Sequence, residues 1–449
     1  MSSIEASPNS AVRQAGRARI LRRFACSVQF NITARDAGSD KWFRFEFQRT
    51  RINTLPARLS VAVLAMSQTG AHTLRPFSAR DSPMTLYKGS ASANLPWNPR
   101  LAHLRCVAAL LVLLFHTYHS FFGHWQPKPD AHGFGWLVEG HTGVSLFFVL
   151  SGYLFMSIAL RSNGTLDYWR FLRNRVLRVF PLFLLIFVVA ISVGRDAFRP
   201  MDVFYVVFSN LGDAPTSKQF MTGPAWTISV EFTFYLVFPF LARFAIDRGP
   251  SYLLRLICLL LLFKLGAFVV SERPTHMIYS TLLGRMDQFL IGMLAAQYAL
   301  RFVTRALHGV WVVGAVLVVL VLLEAQAHWA SYFLPEQVQP AWLAWPTVEA
   351  IGWALVIVSY AHWRGGLWQW LGLLLERGGE ISFSLYLWHA LVIYLATRWL
   401  GTPEWFGDWR LDALVVTGGV LAVSWGVAHL SFRTIEEPFL GLRGKYSER

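Results

Sequence analysis

From residue 97 onward, apolar stretches of roughly 17–25 residues, each long enough to cross a bilayer, recur about ten times along the chain. That repetition predicts an all-α fold, a polytopic transmembrane helix bundle. Composition agrees. Only 15% of the 449 residues are charged and 54% are hydrophobic, whereas soluble domains carry about a quarter charged residues, so a water-soluble globular fold is excluded. Nineteen Trp and 35 Phe fit a chain whose aromatic side chains gather at membrane interfaces and between packed helices. Cys26, Cys106 and Cys258 are too widely separated for a disulfide framework or a metal-ligand spacing.

The charge divides the chain into parts. Residues 1–96 hold 14 Lys and Arg against 5 Asp and Glu, nine of the fifteen net positive charges, with no sustained apolar period. The longest apolar run there, Leu59–Met66, is too short to span. This segment is read as a basic, disordered extension; Met84, which opens a polar leader into the first membrane helix, is a candidate start of translation. Residues 97–440 form the membrane domain and 441–449 a short cytoplasmic tail. Ten helices are expected at about 101–123, 137–160, 179–195, 223–243, 252–270, 277–300, 308–324, 345–361, 380–400 and 410–432. With the amino terminus inside, the inner loops and carboxyl tail hold sixteen Lys and Arg and the outer loops six, which places both termini in the cytoplasm.

Ionisable groups inside a span cost at least a few kcal/mol and are usually kept for function. In the first helix His116 follows Arg105 by eleven residues, 20° past three full turns, so both project from one face about 16 Å apart. Such a pair suits an anion anchor at the inner surface with an imidazole near mid-membrane. A positive-inside anchor with a packing histidine explains it equally well, and His119, one turn on, competes for the imidazole role. Gly143–Tyr153 in the second helix is read as a close helix contact. The inner loop Trp169–Pro181 carries Arg173, Arg175 and Arg178, whose guanidinium forks suit bidentate phosphate binding; a generic anchor on anionic lipid is the alternative. Glu231 and Tyr235, four residues apart, form a polar face on the fourth helix, with Trp226 and Ser229 just before them. Tyr386 and His389 lie at i and i+3 on the ninth. Ile435–Phe439, past the last span, reads as a helix stop.

Together these segments resemble the acyltransferase-3 family of membrane O-acyltransferases over essentially residues 97–440. The first-helix pattern of a basic residue, ten others and His is matched by Arg105 and His116. Gly143–Tyr153 is similar to the family's GVDLFFVLSGF, with Ser145 where an Asp is usual. Arg178–Pro181 closes a segment similar to RRxxRIxP. Trp226–Tyr235 is similar to WSLSVEEQFY, with Phe232 and Thr233 in place of a Glu and a Gln. Ile381–His389 resembles ISYSLYLWH, and Ile435–Phe439 the closing IExPF.

The resemblance implies transfer of an acyl group, most often acetyl from cytoplasmic acetyl-CoA or another acyl-CoA, to a hydroxyl of an envelope carbohydrate or other acceptor. It also implies a bacterial inner-membrane location and a ten-helix core. The membrane core itself is expected to deliver the acyl group. His116 is the candidate base or acyl carrier, Arg105 and Glu231 complete the candidate catalytic set, and Arg173, Arg175 and Arg178 are candidates for the CoA phosphates. Ser151, Trp226, Ser229, Tyr235, Tyr386 and His389 are candidates for positioning substrate. The lipid bilayer is the surrounding partner; no metal and no nucleic acid are expected. The alternative is a proton-coupled transporter or flippase for a polar envelope precursor, using the same Glu and His as proton sites.

Overall fold

The computed structural model describes residues 94, 98–123, 125, 133–193, 226–270, 274–329 and 340–446. Apart from Asn94, the amino-terminal extension lies outside the described residues, as do Met84, residues 223–225 at the expected helix start and most of the predicted outer loops. Among the described residues the chain is helical, with one isolated bridge between Leu307 and Trp363. The helices are α1 (Pro99–Tyr118, continued by a π turn at His119–Gly123), α2 (Gly135–Val138), α3 (Thr142–Arg161), α4 (Tyr168–Val193) and α5 (Trp226–Arg248). They continue as α6 (Pro250–Val270), α7 (Pro274–Ser280), α8 (Leu282–Phe302), α9 (Gly309–Trp329) and α10 (Trp345–Ala361). The last are α11 (Gln369–Glu380), α12 (Ser382–Leu400), α13 (Trp409–Ser431, continued by a π turn at Phe432–Glu436) and α14 (Glu437–Leu440).

Six of these helices are long and apolar enough to cross a membrane, or seven if α11 and α12, bent by 74° at their junction, count as one span. The protein is thus a helical membrane protein. Each of the ten predicted segments coincides with a helix, and three differ in ways that local chemistry explains. The second is broken, because the chain turns at Glu139–His141 before α3 begins. The sixth is broken at Thr281, whose hydroxyl caps α8 by accepting from the Gly284 amide at 3.2 Å. The third starts eleven residues early. The arginine-rich segment read as a loop is the first half of α4, which begins where the Asp167 carboxylate accepts from the Arg170 amide at 2.7 Å and runs on through Pro181.

Burial sorts the helices. About two thirds of the apolar windows of α1 and α3 lie inside the bundle, against 17% for α6 and 22% for α9 and α13, so the former are central and the latter line the outside. The helix packed most closely on α3 is α8. A Cβ at Gly152 would run into the Phe289 carbonyl oxygen, and one at Gly292 into the Val149 carbonyl oxygen. Two reciprocal glycines therefore let the backbones touch, which confirms the close-contact reading of Gly143–Tyr153. Phe289 stacks on Phe148 at 4.7 Å and on Phe234 at 3.9 Å, tying α5 into the same layer.

Helix α8 is central despite Arg285, Asp287 and Gln288, all fully buried. Each finds partners across the bundle. Lys264 on α6 pairs with Asp287 at 2.9 Å, and Thr347 on α10 donates to the same carboxylate. Ser145 on α3 donates to Glu349 of α10 at 2.7 Å and accepts from Arg285 at 3.2 Å and Gln288 at 3.0 Å. The hydroxyl at 145, where the resembling family has an Asp, thus sits beside a carboxylate supplied by α10.

The glycine notch is directly testable. Gly292→Ala should cost about 1–3 kcal/mol through forced overpacking and lower the thermal unfolding midpoint of the purified protein. Gly314→Ala, with nothing within 4 Å of its Cβ position, should leave it unchanged; equal midpoints for the two variants would refute the contact.

Candidate active site

A cavity of about 340 Å³ opens between α1, α3, α4, α5 and α12. Its polar lining includes Arg105 from α1, Ser151 from α3, Arg175 and Arg178 from α4, Glu231 and Tyr235 from α5, and Tyr386 from α12, with Arg161, Glu380, Arg443 and Tyr446 among the others on the wall. Seven of the twelve candidate residues from the sequence thus share one cavity.

Spacing on each helix explains the grouping. On α5, Glu231 and Tyr235 are one turn apart and face the same way. The Tyr235 hydroxyl donates to the Glu231 carboxylate, and the Ser151 hydroxyl donates to the same oxygen at 3.2 Å. Ser229, two residues earlier and so about 200° round the helix, is buried on another face. Trp226 packs on Phe148 and Tyr279 and is not itself part of the cavity lining. On α4, Arg175 and Arg178 are three apart and both reach the wall, while Arg173 is exposed outside it.

The two lining arginines of α4 are held differently. Arg178 pairs with Glu436 at 2.7 Å, and Ser384 donates to that same carboxylate. The closing Ile435–Phe439 segment therefore supplies an ion-pair partner to the site as well as ending a helix. Arg175 lies against the faces of Phe155 at 4.9 Å and Tyr235 at 5.8 Å, a cation–π cradle. It donates to the Tyr446 hydroxyl at 2.6 Å.

The histidines form a second group behind the cavity. Tyr386 on the wall is latched to Thr227 by a hydroxyl pair at 2.9 Å, and its ring lies 5.7 Å from that of His389. His389 Nε2 is 3.3 Å from His116 Nδ1. His116 Nδ1 also lies 2.8 Å from the Val112 carbonyl oxygen. A carbonyl can only accept, so Nδ1 carries a proton, and in the neutral ring Nε2 of His116 is then the nitrogen with the lone pair. His389 Nε2 then serves as an acceptor toward the same N–H. His119 is held otherwise: its Nε2 donates to the Val138 carbonyl at 3.0 Å, and Trp125 stacks on its ring at 5.2 Å. Of His116 and His119, His116 is thus the one joined to His389. Neither His116 nor His389 lines the cavity itself.

Sequence reasoning missed Arg443 and Tyr446, which no local pattern marks, and the buried Lys264, Arg285, Asp287 and Glu349. Charges within apolar helices were the available signal for the latter. Among the described residues no group of three His, Cys, Asp or Glu side chains could hold a metal ion.

A profile of the family described as an acyltransferase domain matches residues 98–429. YrhL of Bacillus subtilis strain 168, provisionally named a peptidoglycan O-acetyltransferase, is 26% identical over 386 residues, 76% of this chain and 54% of its own. The acyltransferase MdmB of Streptomyces mycarofaciens is 26% identical over 380 residues, 77% of this chain and 92% of its own. The O-acetyltransferase OatA of Staphylococcus aureus is 27% identical over 224 residues, 44% of this chain and 34% of its own. The chain therefore spans about half the length of YrhL, a third of OatA and most of MdmB. No solved structure matches it.

Glu436 is 2% exposed, so removing its cation leaves a buried charge unpaired. Arg178→Ala is expected to cost about 3 kcal/mol, read as a lower unfolding midpoint and lower membrane abundance. Arg173→Ala should leave both as in the wild type; an equally stable Arg178→Ala would show that the pair is dispensable.

Proposed function

The chain belongs to this acyltransferase family, and from that premise we propose that it is a membrane O-acyltransferase with about ten spans and both termini in the cytoplasm. It resides in a bacterial inner membrane and moves an acetyl group from cytoplasmic acetyl-CoA to a hydroxyl of an envelope carbohydrate. The names of YrhL and OatA, O-acetyltransferases both, support the reaction; peptidoglycan in the name of the first supports the acceptor class. The observation that carries the reading is the pairing of an arginine-lined cavity with a histidine whose lone pair is fixed on Nε2.

Arg105 and Arg175 bind phosphates of the donor, being cations with forked N–H groups, while Arg178 shapes the wall through Glu436. The flexible pantetheine arm runs along the α1 face toward His116, about 16 Å from Arg105 along the helix. The acceptor hydroxyl gives its proton to Nε2 of His116 as its oxygen attacks the thioester carbonyl. The new ester bond forms, the C–S bond breaks, and the proton passes from the imidazolium to the departing CoA thiolate. The Val112 carbonyl and His389 fix the ring so that Nε2 faces the reaction. Glu231, Ser151 and Tyr235 form one hydrogen-bonded unit at the cavity wall that positions the donor arm, with Tyr386 between that unit and the histidines.

In purified protein supplied with acetyl-CoA and peptidoglycan fragments, His116→Ala should reduce CoA release by about 10²–10⁴-fold, the usual contribution of a general base. Its membrane abundance and acetyl-CoA affinity should match the wild type. Full CoA release by that variant would defeat the mechanism. Proton-coupled uptake without thioester cleavage would point to a carrier instead.

A further inference from the structure

The chain that follows α14 forms part of the cavity wall through Arg443 and Tyr446. Asn174 on α4 holds this strap at both polar atoms of Gly444, donating to its carbonyl at 2.7 Å and accepting from its amide at 3.1 Å. The Tyr446 amide donates to Asn94 at 2.7 Å, and its carbonyl accepts from the Asp167 amide at 3.0 Å. These contacts drive the Tyr446 ring against Phe171 at 5.4 Å and leave it 2% exposed.

What Tyr446 meets there is the Arg175 guanidinium. Buried guanidinium forks ordinarily take a carboxylate or phosphate, two N–H groups at a time, and the neighbouring Arg178 does take a carboxylate. Arg175 instead donates one N–H to a neutral phenol, and its buried Nε has no hydrogen-bond partner among the described residues. Arg443, on the same strap, adds another cation to the wall. Burial, and then the charges of Arg178 and Arg175, lower its guanidinium from the ordinary arginine value to about 10. Positive charge gathers on this part of the wall, with a neutral hydroxyl on Arg175 where an anion would be held more strongly.

We infer that Tyr446 is a place-holder in a phosphate subsite: a phosphate group displaces its hydroxyl from Arg175, the 441–446 strap loosens, and Arg175 and Arg443 share the bound anion. The inference rests on the acyl-CoA reading above, which identifies the phosphate as the donor's. A membrane phospholipid headgroup offers the same chemistry, so the test separates the two.

Full-length protein in zwitterionic phosphatidylcholine nanodiscs is compared with its Tyr446→Phe variant, which keeps the ring and removes only the competing oxygen. Acetyl-CoA should bind the variant about ten- to a hundredfold more tightly, as expected for loss of a competing hydrogen bond to a charged group. In the wild type, acetyl-CoA should speed hydrogen exchange at the Gly444 and Tyr446 amides. Unchanged or weaker affinity in the variant, or slower exchange of the strap with acetyl-CoA, overturns the inference while leaving the donor reading intact. Faster exchange in phosphatidylglycerol nanodiscs without acetyl-CoA assigns the subsite to lipid and overturns the donor assignment. If wild-type protein neither binds acetyl-CoA nor releases CoA from it, the donor reading fails and the inference falls with it.

Discussion

Placing positive charge inside an apolar bundle is the constraint on which this structure depends. A guanidinium in a membrane interior must be paired, cradled or given access to water, and each cation is provided for differently. Arg178 has a buried carboxylate from the end of the last long helix. Arg285 lies over the Tyr279 ring at 4.8 Å and bonds to Ser145. Lys264 has Asp287. Arg175 has aromatic faces and a phenol. Four solutions to one problem draw α3, α4, α6, α8, α10, α13 and the carboxyl-terminal strap into contact.

The division of labour follows. The network around Arg285, Asp287 and Glu349 is enclosed and links four helices, so it helps fix how α3, α6, α8 and α10 register. The arginines of α4 instead face a cavity, where Arg178 has a carboxylate and Arg175 only aromatic faces and a phenol, the feature on which the proposed anion binding rests. Close packing of α3 on α8 through Gly152 and Gly292 connects the two regions, since a shift in that contact would move Ser145 and Ser151 together.

The sequence revealed the fold class through the length and number of apolar stretches, and much of the cavity through helical spacing. Arg105, Glu231 and Tyr235 were legible because each lies on a regular helix, where a three- or four-residue offset sets the face. The same rule explains Ser229 and Trp226: their motif places them near Glu231 in sequence, but the helix turns them away. The arginine segment was read as a loop because its charges masked a helix that Asp167 caps. Tyr446 was beyond any local reading, since it meets Arg175 across 271 positions of sequence. The link between His116 and His389, 273 positions apart, needed the fold to show it.

In the proposed reaction, chemistry occurs at two depths: phosphate is held among Arg105, Arg175 and Arg443 and the acyl carbon is carried to His116. The most direct measurement is an electron cryo-microscopy map of the protein with a non-hydrolysable thioether analogue of acetyl-CoA. The account predicts phosphate density within hydrogen-bond reach of Arg175, with the analogue's arm passing Tyr386 to end beside Nε2 of His116. Density for the analogue outside this cavity, or an arm directed away from His116, would contradict it.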